Sequence, residues 1–450
     1  MNEDYELDPR IQEERKRRRE ELRKKRQQRK YIIYAAFALI LVLIIALCVK
    51  SCSKKKDPEP KDQQVETQQP TEGELEPVIP PEDTTPAREN ATATLAATGD
   101  IMCYIEQIQD AAMSGGGYDF APAFSGVKEI LSKADITVGN LETNFAGTPY
   151  SGYPYFSSPP QLASALDEAG FDLLQTANTY SMENGFTGLT STINTISDAG
   201  MTAVGTYASR ESASENGGIV IREVNGIKFA FFAYTKGING RTRPGDYSYC
   251  VNLLYTDYTG GYTQVDETAL LQSIKSAKEQ EADVIVALLH WGGEYDVEPT
   301  DSQKSIADLL FRNGVDVIIG THSHVVGPME QKTVTTVDGE TKDCFVAYSL
   351  GNFYSSMDRD ETKPSAILNL TFNLDGESGK TSIQKIEYVP LYIANMGSDA
   401  ETQYKVVDIE KEIDRYIGGA EERVPSEVYG ELKKALEVLH NNAGTQYATD

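Results

Sequence analysis

Two apolar runs that end at histidines constrain the fold of this chain more than any other feature. The run VIVALL leads into His290, and the run VDVIIG leads to His322 and His324. Each run is typical of a strand buried in a parallel sheet. Imidazole is the commonest transition-metal ligand, and ligands of open α/β sheets bind at the carboxyl ends of strands. Three of the chain's four histidines therefore predict a metal or phosphate site, with polar loop positions as the alternative interpretation.

Strand and helix patterns alternate along the rest of the chain. Short apolar runs predict strands at 93–98, 134–139, 171–177, 201–206, 284–289 and 315–320. Helical spacing predicts helices at 188–200, 266–281, 301–313 and 404–441, and two hairpin turns are predicted at Asn225-Gly226 and Asp338-Gly339. The alternation predicts an α/β domain at 92–400 with a mainly parallel sheet, followed by C-terminal helices at 401–450.

The N-terminal segment has the pattern of a membrane anchor. Residues 10–30 contain twelve Lys and Arg, and residues 31–49 contain no charge over 19 positions. That length predicts a transmembrane helix rather than a buried soluble helix or a cleaved signal peptide. The excess of positive charge before the span predicts a cell-membrane protein with a cytoplasmic tail at 1–30 and an extracellular part at 50–450. The basic tail is expected to face anionic lipids rather than nucleic acid.

The segment after the span differs from the rest in composition. Residues 50–91 are rich in Lys, Glu, Gln, Pro and Thr, which predicts a disordered stalk. Residues 1–56 hold 16 of the 42 basic and 8 of the 68 acidic residues, so residues 57–450 hold 26 and 60, a net charge of −34. Such an acidic surface argues against nucleic acid as a partner. The five cysteines show no metal-binding spacing, and lipidation of Cys48 remains open.

Polar residues of the metal-binding type follow several of the predicted strands. They are Asp100, Asn140, Glu142, Asn178, His290, His322, His324 and Asn352. A mixture of carboxylate, amide and imidazole suits a divalent metal such as manganese, iron or zinc. Such a metal lowers the pKa of bound water and polarises a phosphoryl or acyl oxygen. The set therefore predicts a hydrolytic metal site.

Six short motifs in this order resemble the CapA family of capsule or poly-γ-glutamate biosynthesis proteins. They are GDIM at 99–102, GNLE at 139–142, AN-S-x-x-x-G at 177–185, HWGGEY at 290–295, GTHSHV at 320–325 and SLGNF at 349–353. The resemblance implies a calcineurin-like metallophosphatase-type α/β/β/α sandwich on an external, membrane-anchored domain. It also implies a metal site lined by Asp100, Glu142, His290, His322 and His324.

The chain departs from the family pattern at four positions. Where the family usually reads ANNH, this chain has Thr179 and Tyr180 after Ala-Asn. Ile105 replaces an Arg of the first motif, and Ser323 replaces a Pro between the late histidines. A tyrosine with its usual pKa of ~10 is a poor general acid near neutrality, although it can donate one hydrogen bond. The departures leave open a mononuclear, weak or absent metal site.

Further residues have competing interpretations. Tyr180, Glu294 and His290 are the candidates for catalysis, and Glu294 could instead be a solvated loop carboxylate. The candidates for substrate binding are Asn140, Asn178, Arg241, Arg243 and Asn352. The two arginines could equally lie in a plain surface loop, and Asn352 could cap a turn. Trp291 and Tyr295 fit either an aromatic wall beside the site or core packing.

We therefore expect a membrane-anchored extracellular protein of capsule or cell-envelope polymer biosynthesis, with poly-γ-glutamate as the polymer that the resemblance implies. The expected partners are the membrane and an anionic envelope polymer or its synthesis machinery. Metal-assisted hydrolysis or transfer is the expected chemistry. Two alternatives stay open: a phosphoesterase with an unrelated substrate, and a non-catalytic member that binds or escorts a polymer.

Overall fold

A computed structural model describes residues 88–421 and 423–449. The predicted cytoplasmic tail and transmembrane helix, and most of the predicted stalk, lie outside these residues. Within the described ranges, no helix combines the length and apolar character needed to cross a membrane.

The described residues form two mixed β-sheets with helices around them. The strands are β1 (Ala91–Ile101), β2 (Ile136–Leu141), β3 (Leu173–Gln175), β4 (Thr202–Val204), β5 (Val220–Val224), β6 (Ile227–Thr235), β7 (Val284–His290), β8 (Val317–Thr321), β9 (Met329–Thr335), β10 (Thr341–Ala347), β11 (Asn352–Tyr354), β12 (Pro364–Leu374), β13 (Thr381–Asn395) and β14 (Tyr404–Asp408). The α-helices are α1 (Ile105–Asp110), α2 (Ala121–Phe124), α3 (Lys128–Leu131), α4 (Gln161–Ala169), α5 (Gly185–Asp198), α6 (Arg210–Ser214), α7 (Glu267–Glu279), α8 (Asp301–Asn313), α9 (Ile409–Ile417) and α10 (Ser426–Ala443).

The two sheets combine parallel centres with antiparallel edges. The first sheet has the order β14-β13-β12-β1-β2-β3-β4, and β11 pairs with the end of β1. Its strands β1 to β4 are parallel, while β12, β13 and β14 are antiparallel additions. The second sheet has the order β5-β6-β7-β8-β10-β9, with β6, β7, β8 and β10 parallel. Both predicted hairpins are present, since β5 pairs with β6 and β9 with β10.

The sheets pack face to face and carry helices on their outer faces. Phe229 of the second sheet meets Phe372 of the first edge to face, with ring centroids 5.2 Å apart. Helices α2 and α4 cover the outer face of the first sheet through residues such as Phe124 and Leu166. Helices α7 and α8 cover the second sheet through residues such as Leu310. The predicted α/β fold with an α/β/β/α arrangement is therefore present.

The structure differs from the expected domain limits at two places. Strand β1 begins at Ala91, and the guanidinium of Arg88 pairs with Asp283 with an N–O distance of 2.8 Å, so the domain reaches into the predicted stalk. The predicted C-terminal helical segment starts with a strand, β14, whose Val406 and Val407 pack against opposite faces of the first sheet. A five-residue edge strand is too short to show a clear alternation of apolar and polar residues, so its sequence was assigned to the start of a helix.

Close backbone contact brings the strand ends together. A Cβ on Gly99 would lie 1.8 Å from the carbonyl oxygen of Gly351, so only glycine fits there. This contact lets the backbone N–H of Asp100 donate to the Gly351 carbonyl at 2.9 Å and places Asn352 beside Asp100. The carboxyl end of β1 is therefore fixed next to β11 as well as β2.

Candidate functional site

Five polar side chains converge at the carboxyl ends of four strands. Asp100 lies in β1 and Glu142 directly follows β2, while His290 ends β7 and His322 and His324 follow β8. All five are buried. Their candidate ligand atoms form two groups, Glu142–His290–His322 and Asp100–Glu142–His324, each with its atoms within 4.8 Å of one another. The two sheets thus meet at one cluster, as the strand-end positions predict.

The backbone after β8 adopts an unusual conformation. His322 has φ 94° and His324 has φ 61°, and both values lie in the left-handed region that side chains with a Cβ avoid. Such strain persists where the surrounding structure enforces it, and it concentrates at functional sites. Here it places both imidazoles in the cluster and brings the backbone N–H of His322 to 3.4 Å from Oδ2 of Asp100.

Two asparagines orient the carboxylates, one by direct hydrogen bonds and the other through the first. Nδ2 of Asn140 donates to Oδ1 of Asp100 at 2.7 Å and to Oε2 of Glu142 at 3.2 Å. Nδ2 of Asn178 donates to Oδ1 of Asn140 at 3.1 Å and to the Leu141 carbonyl at 2.7 Å. Both asparagines, which were candidates for substrate binding, therefore have a defined part in orienting the carboxylates.

Hydrogen bonds also fix the imidazole rings. Nδ1 of His290 lies 3.0 Å from the hydroxyl oxygen of Thr321. Nδ1 of His324 lies 3.0 Å from Oδ2 of Asp100 and 3.1 Å from Oδ1 of Asn352. Asn352, also a candidate for substrate binding, is thus a partner of His324. Oriented rings of this kind are characteristic of histidines prepared for metal binding.

The environment separates the histidines into two protonation states. Burial lowers the pKa of His290 to about 3 and that of His322 well below its usual value, so both rings are neutral at pH 7. Burial would also lower the pKa of His324, but the hydrogen bond and charge of Asp100 raise it to about 9. The pKa of Asp100 is lowered because the hydrogen bond from His324 and its charge outweigh burial. Burial and then the negative charge of Asp100 raise the pKa of Glu142 well above its usual range.

These residues fit a divalent cation. Oε1 of Glu142 is buried and has no hydrogen-bond partner among the described residues. It lies 3.4 Å from Nε2 of His290, but the low pKa of that ring makes the contact a neutral one rather than an ion pair. A cation would satisfy the orphaned oxygen and relieve the repulsion between Glu142 and Asp100. Glu142 belongs to both ligand groups, so its carboxylate is the member that the two sets of residues that would hold an ion have in common.

Thr179 and Tyr180, two of the four departures from the family motif, lie at the same cluster. The hydroxyl oxygen of Thr179 lies 2.9 Å from Nε2 of His290 and 3.5 Å from Nδ1 of His322. Tyr180 packs edge to face on Phe156 with ring centroids 4.7 Å apart. Burial, followed by the charge of Glu142, raises the pKa of Tyr180, so its hydroxyl stays protonated. Tyr180 can therefore donate a hydrogen bond but is a poor proton-transfer acid.

The two loop arginines have structural partners. The guanidinium of Arg241 pairs with Glu183, with Nε 3.0 Å from Oε2. Nη1 of Arg243 donates to the Val251 carbonyl at 3.0 Å. Their predicted part in substrate binding stays a prediction, because neither guanidinium is hydrogen-bonded to the cluster in the described part of the chain.

Two residues of the HWGGEY motif take different roles. Trp291 is fully buried and donates from Nε1 to the Tyr348 carbonyl at 3.1 Å, which is core packing. Glu294 makes no hydrogen bond to a histidine within the ranges that the structure covers. Its negative charge acts against the larger lowering of the His290 pKa by burial and adds to the raised pKa of His324, so it lies within electrostatic reach of the site.

Lys236 is a residue of the site that the sequence analysis missed. Its backbone N–H donates to the His290 carbonyl at 2.8 Å, and its ammonium group donates to the Gly292 carbonyl. Its positive charge contributes to the low pKa of His290 and His322. The signal for it was its position directly after the apolar strand β6, which is the same position that identified the histidines.

The four layers and the buried carboxylate–histidine cluster fit a metallophosphatase-like α/β fold. The family model described as "Bacterial capsule synthesis protein PGA_cap" matches residues 94–357, and the chain belongs to this family. It is 27% identical to the "Capsule biosynthesis protein CapA" of Bacillus anthracis over 68% of this chain and 69% of that protein. It is 26% identical to the "PGA biosynthesis protein CapA" of Bacillus subtilis (strain 168) over 69% and 75%. A solved structure titled as a novel phosphatase of Mycoplasma pneumoniae shares 17% identity over 67% of this chain and 94% of that chain, with a TM-score of 0.37.

Proposed function

We propose that this protein acts in the biosynthesis of a poly-γ-glutamate-type capsule polymer, as a metal-dependent hydrolase or transferase anchored in the cell membrane. The observation that carries the proposal is the orphaned, buried Oε1 of Glu142 at the centre of two His/carboxylate groups. Family membership and the names of the curated relatives support the capsule role. The cluster of basic residues before the uncharged segment 31–49 supports the anchor.

Each residue of the site would have a separate role. Asp100, Glu142 and the three histidines would hold a manganese, iron or zinc ion, which supplies an activated water and polarises an acyl or phosphoryl oxygen when bound. Asn140 keeps both carboxylates oriented through its amide. Lys236 adds positive charge beside the neutral histidines, where an anionic substrate group would arrive. The protonated hydroxyl of Tyr180 can donate to that group.

A second candidate function is binding or escort of the polymer without catalysis. The contact between Thr179 and His290 favours it, because a hydroxyl occupies a hydrogen-bonding position on a nitrogen that could face a metal. The high pKa of Tyr180 favours it too, because no strong proton donor replaces the histidine of the family motif.

Replacing His322 by Ala separates these functions. If His322 is a metal ligand, the variant loses most of its bound metal and the hydrolysis of a γ-linked glutamate oligomer. His440→Ala, on α10 and outside the site, should retain both. The test measures the bound metal and the hydrolysis products of the two purified variants and of the wild type. A wild-type chain without metal or activity would support the binding function.

A further inference from the structure

The charge of the chain poses a problem for any anionic ligand. Residues 57–450 carry a net charge of −34, which repels a polyanion once it comes within a Debye length of the surface, about 10 Å at 0.1 M salt. Binding of such a polymer therefore requires a local surface where cations outnumber acids.

One cavity of the described domain meets this requirement. It measures about 300 Å³ and lies between β14, the start of α9 and residues 125–126. We name it the cationic pocket after its four basic lining residues, Lys405, Lys411, Arg415 and Arg423. Two acidic residues, Asp408 and Glu412, also line it. The volume is at the lower end of the range for ligand sites and admits a few anionic groups of a longer chain.

Both acids of the cationic pocket are already engaged. Glu412 pairs with Arg415 at 3.1 Å, one turn apart on α9. Asp408 caps the same helix by accepting a hydrogen bond from the backbone N–H of Lys411 at 3.1 Å. Neither carboxylate therefore neutralises the remaining basic side chains by direct pairing.

The two lysines of the cationic pocket have no ion-pair partner among the described residues. The ammonium groups of Lys405 and Lys411 have no carboxylate within ion-pair distance in the part of the chain that the structure describes. Arg423 lies over the ring of Tyr416, 5.2 Å from its centroid. Unpaired cations that face one cavity are the arrangement that recognises a carboxylate or phosphate group.

The cationic pocket lies at the same end of the first sheet as the candidate metal site. Asp408 pairs with Leu391, and Leu391 pairs with Ser365 at the start of β12. The start of β12 lies beside the Asp100 end of β1, since Leu368 pairs with Ala97. Three strand spacings of about 4.8 Å then separate β14 from β1, roughly 14 Å across the sheet. A chain of a few residues can span that distance.

We propose that the cationic pocket binds carboxylate groups of the capsule polymer and holds the chain while another part of it reaches the metal site. The identity of the polymer rests on the proposed function, whereas the preference of the pocket for a carboxylate chain rests on its own charges. Loss of hydrolysis in a metal-site variant therefore leaves the pocket assignment intact.

The test is the affinity of the purified full-length chain for a short γ-linked glutamate oligomer, measured by calorimetry. Lys405→Gln with Lys411→Gln should weaken binding roughly tenfold, the effect of losing two exposed ion pairs. The matched control is Lys275→Gln with Lys380→Gln, which changes the net charge equally at two exposed sites outside the pocket. A neutral γ-linked glutamine oligomer should not bind.

The outcomes separate the two proposals. Equal affinities of the pocket variant and the control pair would overturn the pocket assignment, as would wild-type binding of the neutral oligomer. In a His322→Ala background, Lys405→Gln with Lys411→Gln should still weaken oligomer binding, because the pocket acts without the metal site. A wild type that binds the oligomer through the pocket but hydrolyses none supports the pocket and contradicts a hydrolase.

Discussion

The hydroxyl oxygen of Thr179 lies 2.9 Å from Nε2 of His290. In the family motif that the chain resembles, an asparagine stands at this position, and the resemblance implies that this asparagine would contact the metal. A threonine is shorter and makes a hydrogen bond to the imidazole instead. This contact therefore bears on the choice between the catalytic and the binding function proposed above.

Restoring the family pair should strengthen catalysis. Thr179→Asn with Tyr180→His supplies an oxygen ligand and a proton donor whose pKa is near neutrality. General acid–base catalysis is typically worth ~10²–10⁴-fold, so hydrolysis of a γ-glutamyl or generic phosphoester substrate should rise within that range. Thr179→Asn alone should raise metal affinity and leave the rate nearly unchanged. If the double variant gains neither metal nor activity, the chain is a binding protein.

The convergence of Asp100, Glu142 and the histidines was predictable because strand-end positions meet at one edge of a sheet. The roles of Asn140 and Asn178 were not, because position does not reveal whether an amide faces a ligand or a neighbouring carboxylate. The ion pair of Arg241 was not predictable either, because its partner Glu183 is 58 residues away in sequence. Antiparallel additions to the sheet were expected, but strands β12 to β14 were not located, because antiparallel strands alternate buried and exposed residues and lack the continuous apolar runs of buried parallel strands.

Glu142→Gln should separate stability from metal binding. Burial and the charge of Asp100 raise the pKa of Glu142 well above its usual range, so this carboxyl group costs stability at neutral pH, where it is ionised in the unfolded chain. The change to a glutamine, which does not titrate, removes that cost, and the metal-free protein should melt at a higher temperature. The same change also removes the carboxylate that both ligand groups share, so bound metal should fall sharply. Glu294→Gln, outside both groups, is the control and should keep its metal. Retention of metal by Glu142→Gln would remove this residue from the ligand set.

The pair of His324 and Asp100 predicts how the chelator-treated protein responds to pH. The folded pKa of about 9 for His324 exceeds its usual value of 6.5, so the folded chain holds this proton more tightly than the unfolded chain. The stabilisation, up to ~3 kcal/mol, is complete below pH 6.5 and is lost as the pH rises through 9. Thermal melting between these pH values should show the decline.

His324→Asn is the matched variant for this pH effect. Asparagine tolerates the left-handed φ of 61° at this position, can donate a hydrogen bond to Asp100, and does not titrate. Its melting temperature should change much less between pH 6.5 and 9. An equal decline in the variant and the wild type would assign the effect to other groups.

The proposed topology can be tested on intact cells. A protease added to protoplasts should cleave within residues 51–87 and release the folded domain, because the positive residues before position 31 place the N-terminus inside. Permeabilised protoplasts should also lose residues 1–30, which makes them the control. Protection of the domain in intact protoplasts would reverse or remove the predicted orientation.

The cluster draws its carboxylates from the first sheet and its imidazoles from the second. An ion held there would close chain loops as long as the 224 residues between Asp100 and His324, and long closures restrict a partly unfolded chain the most. Separation of the two sheets would then have to wait for release of the ion. The lifetime of the folded state would then be set by the rate at which metal escapes.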